Sequence, residues 1–139
     1  MKKLPLIVLI VFAMGTLLCS NPTAAQLLPP AKKVVHVQIT EGPELESTHD
    51  TQAIIRWTSN NPGGSDEHYA VLHYGTDPKT LNLTAKSHIR LNQQHSYTVF
   101  RVRALELKPH TNYYYKVDSE DASGISDGVR STVRTFKTE

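Results

Sequence analysis

Leu107-Lys108-Pro109-His110-Thr111-Asn112-Tyr113-Tyr114-Tyr115-Lys116-Val117 is the stretch on which the fold turns. Pro109 fixes the backbone as it enters a turn. From Tyr113 onward the residues alternate, with Tyr113, Tyr115 and Val117 on one side and Tyr114 and Lys116 on the other. A period of two is the mark of a strand with one buried face. Upstream, Phe100, Val102 and Ala104 alternate with Arg101 and Arg103, and Leu107 continues that apolar row past a bulge. Downstream, a last strand is expected from about Thr132 to Thr138 with Phe136 as its apolar anchor.

Moving further out, the pattern repeats. Ala53, Ile55 and Trp57 share one side of a second strand, opposite Gln52, Ile54, Arg56 and Thr58, and the turn-forming run Asn60-Asn61-Pro62-Gly63-Gly64 ends it. Ala70, Leu72 and Tyr74 form the inward row of a third strand. Its other face carries Tyr69, Val71 and His73, which is less polar than a solvated face should be, so a register slipped by one stays open. A short fourth strand is expected around Leu81 to Ala85. A first strand, with Val35, Val37 and Ile39 alternating against His36 and Gln38, is broken or bent at Gly42-Pro43. Seven short strands with turn-formers between them, and no run of helical spacing, predict an all-β, antiparallel, immunoglobulin-like sandwich over residues 34–139.

Two features add a family resemblance. A lone Trp57 midway along the second strand and the Leu107-Lys108-Pro109 turn leading into Tyr113 resemble the signature of fibronectin type III domains. In such domains a corner tyrosine buries its ring while its hydroxyl bonds to backbone upstream; by position Tyr113 is that residue. The triple tyrosine before Lys116-Val117, the Tyr74-Gly75-Thr76 after the third strand and the closing Thr135-Phe136-Lys137-Thr138 are similar to the N-terminal domain of purple acid phosphatases. The resemblance implies a sandwich that packs beside a separate metallophosphatase domain. With Glu139 the last residue read, no catalytic residue or metal ligand of that family is expected to carry over to residues 1–139. Trp57, Leu107, Pro109, Tyr113, Tyr115, Val117 and Phe136 are expected to be structural core.

The first residues carry an address. Lys2 and Lys3 precede an apolar run from Leu4 to Leu18, too short for a span of about 20 residues, and small residues follow at Thr23, Ala24 and Ala25. A secretory signal peptide cleaved after Ala25 is expected, placing the product outside the cytoplasm or in a periplasm. A Pro29-Pro30 leader would then cover residues 26–33. Cys19 is the sole cysteine; lipid attachment there is disfavoured by Leu18 and Thr16 in the places where lipoprotein signals carry a small residue and leucine. The domain must therefore be stable without a disulfide. The net charge of +2 is accounted for by Lys2 and Lys3, and the balanced remainder offers no basic field for nucleic acid or an anionic membrane.

Four constellations invite a chemical reading. Gly124-Ile125-Ser126-Asp127-Gly128 matches the nucleophile-elbow string, but it lies between two strands and no His follows His110, so a hairpin loop is expected. The seven histidines, His36, His49, His68, His73, His88, His95 and His110, show no His-x-His or His-x-x-x-His pair, and surface or edge positions are expected for them. His36 and His73 stand on outward faces. Glu120, Asp121 and Asp127 resemble no EF-hand loop, and Asn82-Leu83-Thr84 is a glycosylation sequon in form alone. No cofactor is expected.

What remains is a binding surface for a protein or a surface polymer. Connections 59–67 and 119–130 should project from the same end of the sandwich, and neither contains an aromatic residue. The candidate interaction residues are Asn60, Asn61, Asp121 and Asp127 on those connections, with Tyr69, Val71 and Tyr114 on outward strand rows.

Overall fold

The computed structural model describes residues 38–61, 66–92 and 94–139. Lys2, Lys3, Cys19, the expected cut after Ala25, the Pro29-Pro30 leader and His36 lie outside the described residues. Seven strands follow in order: β1 (Ile39–His49), β2 (Gln52–Asn60), β3 (Glu67–Gly75), β4 (Leu83–Arg90), β5 (Tyr97–Ala104), β6 (Asn112–Asp121) and β7 (Arg134–Lys137). They form a three-stranded sheet A, β1-β2-β5, and a four-stranded sheet B, β4-β3-β6-β7. Every pairing is antiparallel.

The alternating rows meet between the sheets. Ala53, Ile55 and Trp57 of β2 join Phe100, Val102 and Ala104 of β5, and face Ala70, Leu72 and Tyr74 of β3 and Tyr113, Tyr115 and Val117 of β6. Trp57 pairs with Phe100 in register, their rings stacked 5.2 Å apart at 11°. On sheet B, Tyr113 stacks on Phe136 at 5.5 Å and 17°. Offset aromatic pairs add to the burial of apolar area, which is the main force closing such a core. The inward row of β3 confirms the first of the two registers left open by the sequence.

The turn before β6 works as its residues require. Leu107 is buried and its N–H donates to Thr51 O at 3.0 Å, while Tyr113, 3% exposed, accepts a hydrogen bond from Lys108 N–H at 2.9 Å. Pro109 departs from expectation. It is exposed, so it belongs to the turn and not to the core, because its ring stands outside a loop whose buried member is Leu107.

β1 is bent and not broken at Gly42-Pro43, one of the two outcomes expected there, and continues to His49. The ladder with β2 absorbs that dipeptide through register shifts, with a positive φ of 78° at Gly42. β4 extends to Arg90, since Ala85, Ser87 and Ile89 keep facing inward beyond the stretch expected. β5 begins at Tyr97 and contains the alternating row Phe100, Val102 and Ala104.

Candidate functional site

The register fixes one end of the sandwich. Asn60 pairs with Tyr97, Glu67 with Arg90, and His68 with Asp121, so the β2–β3, β4–β5 and β6–β7 connections share that end. The strand ends that flank the first and third of these lie at one end of the sandwich, as expected, and residues 62–65 of the first lie outside the described residues.

The β6–β7 connection folds back onto sheet B. Asp127 N–H donates to Ser119 O at 2.9 Å and Ser131 N–H to Val117 O at 3.1 Å, so the segment extends the hairpin irregularly towards β7. Gly124 and Gly128 take φ of 78° and 83°, the left-handed region where a side chain would be strained. Ser126 Oγ donates to both carboxylate oxygens of Asp118 at 2.9 Å, and Arg130 Nε reaches Asp118 Oδ2 at 3.2 Å. On the inner side, Ser119 Oγ donates to Asp127 Oδ2 at 2.7 Å. His68 Nε2 stands 3.5 Å from Asp127 Oδ1, with the His68 side chain wholly buried and neither ring nitrogen in a hydrogen bond.

A serine, a histidine and two aspartates thus gather at this end, in an arrangement unsuited to attack, and Gly124 to Gly128 lie in the connection between β6 and β7, as the hairpin-loop reading expected. Ser126 bonds to a carboxylate, His68 belongs to the interior face of β3, and strands flank the segment on both sides. A nucleophile needs an exposed hydroxyl within reach of a base. The three acids Glu120, Asp121 and Asp127 diverge. Glu120 pairs with Lys86, Asp121 Oδ1 accepts Ser123 N–H and Ile125 N–H at 2.8 and 3.0 Å, and Asp127 faces Ser119. Among the described residues, no group of three or more His, Cys, Asp or Glu side chains is placed to hold a metal ion.

Two members of the expected interaction surface need correction. Val71 faces outward from sheet B yet is fully buried. It lies in register between Lys86 and Asp118, and the Lys86–Glu120 pair spans β3 across it. Asn61 is 2% exposed because it latches the β4–β5 connection: its Nδ2 donates to Asn92 O at 3.2 Å and to His95 O, and its Oδ1 accepts Thr98 Oγ1. Asn60 Oδ1 accepts Gln38 N–H at 2.7 Å. Tyr69 and Tyr114 remain half-buried on the outer face, Tyr69 edge-on to His88 at 5.4 Å. His73 is outward as expected; burial first, and then Lys116 and Arg130, hold its pKa below the ordinary 6.5 against the opposing pull of Asp118 and Glu120.

The feature that the two connections do not supply comes from the start of β5. Tyr97 is 48% exposed, and among the described residues it is the only aromatic among the exposed large apolar side chains. His95 packs against it at 5.4 Å. Two hollows flank it, one of about 460 Å³ at the seam of β4 and β5 and one of about 350 Å³ on the outer face of sheet A. Parity could have found it, since Tyr97 shares its side of β5 with Arg101 and Arg103. A larger groove of about 490 Å³ lies at the seam of β1 and β7, where Arg134 reaches Gly42 O at 3.3 Å.

Two antiparallel sheets of three and four strands, closed over a tryptophan and pinned by a corner tyrosine, define a fibronectin type III-like sandwich. The family model for the purple acid phosphatase N-terminal domain matches residues 35–138. The chain belongs to that family. Among solved structures it is similar to the sensor domain of the anti-sigma factor RsgI4 in Pseudobacteroides cellulosolvens. One structure of that domain aligns with a TM-score of 0.50 at 23% identity over 73% of this chain and 88% of that chain. A second gives 0.50 and 24% over 73% and 93%. The fibronectin type III domain of human fibronectin type III domain containing protein 3 aligns at 0.46 and 16% over 77% and 90%. At such identities the sensor-domain likeness speaks for the fold alone. No curated protein sequence matches the chain.

Proposed function

We propose that this chain is a non-catalytic accessory module, exported by its first residues with cleavage after Ala25, that presents its loop end and the outer face of sheet B to another protein or to a surface polymer. The observation that carries this reading is the state of its Ser, His and Asp side chains: among the described residues, the one constellation resembling a catalytic set is consumed in holding a hairpin closed, with His68 wholly buried. Tyr69 and Tyr114 are the half-buried aromatics available to a partner on that face.

The test for catalysis is direct. Purified protein assayed on a phosphate monoester with added iron, zinc or manganese should give no turnover above blank, and turnover that disappears with chelator would overturn the reading. The binding half is tested by crosslinking in the intact envelope from cysteines placed at Tyr69 and Tyr114, feasible because Cys19 is the only natural thiol. Joined species that recur from both positions support an interaction face. Family membership favours a second reading, in which the module supports a separately encoded metallophosphatase and the joined species is that enzyme. A third reading, a spacer without a ligand, would be marked by no joined species from either position.

A further inference from the structure

We propose that the ridge formed by Tyr97 is a binding site for a neutral polysaccharide, whose chain crosses the ring and rests in the hollows on either side. This deepens the binding reading above and rests on it. Both hollows are lined in part by Tyr97 and Val99, so the ring stands as the wall between them. The seam side adds His88, Arg90, Asn92 and His95, and the sheet A side adds Thr40, Glu41, Arg56 and Thr58. Each volume falls within the range of about 300 to 1,000 Å³ over which proteins hold small ligands.

The chemistry selects the ligand. An exposed phenol ring offers a flat face with a negative quadrupole, complementary to the weakly positive C–H face of a pyranose ring. A tyrosine also has only two side-chain torsions to fix, so little freedom is lost on contact. The polar lining includes the planar groups of His88, Arg90, Asn92, His95 and Arg56, side chains of a kind that can donate to or accept from ring hydroxyls.

The charges argue for a neutral chain over an acidic one. Arg56 pairs with Glu41 at 3.9 Å and with Glu44 at 2.8 Å, and Thr58 Oγ1 also donates to Glu41 at 3.1 Å. Across the ridge, His88 and Arg90 both pair with Glu67, Arg90 at 3.6 Å. One arginine thus meets two carboxylates on the sheet A side and Arg90 meets Glu67 on the seam side, leaving no excess of fixed positive charge to attract a polyanion.

The platform is also built to stay in place. Asn61, itself buried, ties the β4–β5 connection at Asn92, His95 and Thr98, and its N–H donates to Ser96 O at 3.1 Å. The residues immediately before and after Tyr97 are therefore anchored by Asn61, the residue that follows β2. A rigid platform loses less on binding than a mobile loop would.

Affinity electrophoresis of the purified protein tests this, in gels containing hydroxyethylcellulose, mixed-linkage β-glucan, xylan, galactomannan or soluble starch, with polygalacturonate as the charged comparison. At least one neutral polymer should retard the protein. Tyr97→Ala should weaken that retardation at least about tenfold, Tyr97→Phe should retain it, and Leu83→Ala, at the opposite end of sheet B, should leave it unchanged. An unaltered thermal midpoint for Tyr97→Ala would show that the loss is local. Retardation by no neutral polymer, by polygalacturonate alone, or unaffected by Tyr97→Ala would each overturn the proposal. Crosslinks from Tyr69 and Tyr114 in the absence of any retardation would remove the polysaccharide while leaving a protein-binding module, whereas absence of both would remove the two together.

Discussion

Tyr113 joins burial and hydrogen bonding in one side chain: its ring is in the core and its hydroxyl accepts Lys108 N–H at 2.9 Å, closing a loop over the edge of the sandwich. Replacement by Phe keeps the ring and deletes the acceptor. A cost of about 1 kcal/mol is expected, read as a midpoint lower by about 4 to 8 °C in thermal unfolding; no change would show that the bond contributes nothing. His73 carries a pH signature. Its pKa in the fold lies below the ordinary 6.5, chiefly because it is partly buried, so the unfolded chain takes up a proton first as pH falls. Its contribution to stability is therefore complete above pH 6.5 and declines as pH drops from 6.5 towards the lowered value. His73→Gln should flatten the midpoint between pH 7 and pH 5, and an unchanged slope would assign it elsewhere. At this scale the sequence was legible as far as parity reaches. It placed Trp57, Tyr113, Tyr115 and Val117 inward, and Val71 outward. It could not show that Val71 would be roofed by Lys86 and Glu120, because what covers a face comes from strands distant in the chain.

Between residue and molecule, two segments decide how the strands end and bend. In β1, Gly42 has a φ of 78°, and a Cβ there would lie 3.0 Å from Arg56 O and 3.3 Å from Trp57 Cα, both backbone atoms of β2. Gly42→Ala should cost on the order of 1 to 3 kcal/mol, measured by urea unfolding, since neither the torsion nor the neighbouring strand can give way cheaply. In the β6–β7 hairpin, Asp118 gathers Ser126, Arg130 and the N–H of Ser119 at one buried carboxylate. Asp118→Ala should free the connection before the core is lost. Trypsin should then cut after Arg130 faster than in the parent at a temperature where the near-ultraviolet circular dichroism is still native. Protection at parent level would show that the backbone bonds alone hold the segment. The sequence exposed the existence of both segments through Gly42-Pro43 and Gly124 to Gly128. It missed their closure, because Asp118 reads as an ordinary outward residue of β6 and its partners lie in a stretch without period.

For the molecule as a whole, stability rests on two sheets sharing one interior, since the ionic groups are mostly on the outside and paired in solvent. Arg56–Glu44 and Arg101–Glu46 join residues whose side chains are substantially exposed, and such pairs contribute about 0 to 1 kcal/mol each, less in salt. Trp57 and Phe100, by contrast, are 2% and 0% exposed and stack between the layers. A single cysteine allows no bridge within the chain, so reductant has nothing internal to cut. Unfolding should therefore appear as one transition, with the fluorescence of the sole tryptophan and the far-ultraviolet signal changing together. The midpoint should be unaffected by reductant and move by only a few degrees between 0.05 and 0.5 M salt. Phe100→Ala, which opens a void against Trp57 while keeping the fluorophore, should cost about 3 to 5 kcal/mol and bring both signals to a lower midpoint together. If tryptophan fluorescence changed well before the strand signal, the layers would be separable and Trp57 would report on one sheet. If salt shifted the midpoint strongly, the outer ionic lattice, and not the shared interior, would be what keeps the sandwich closed.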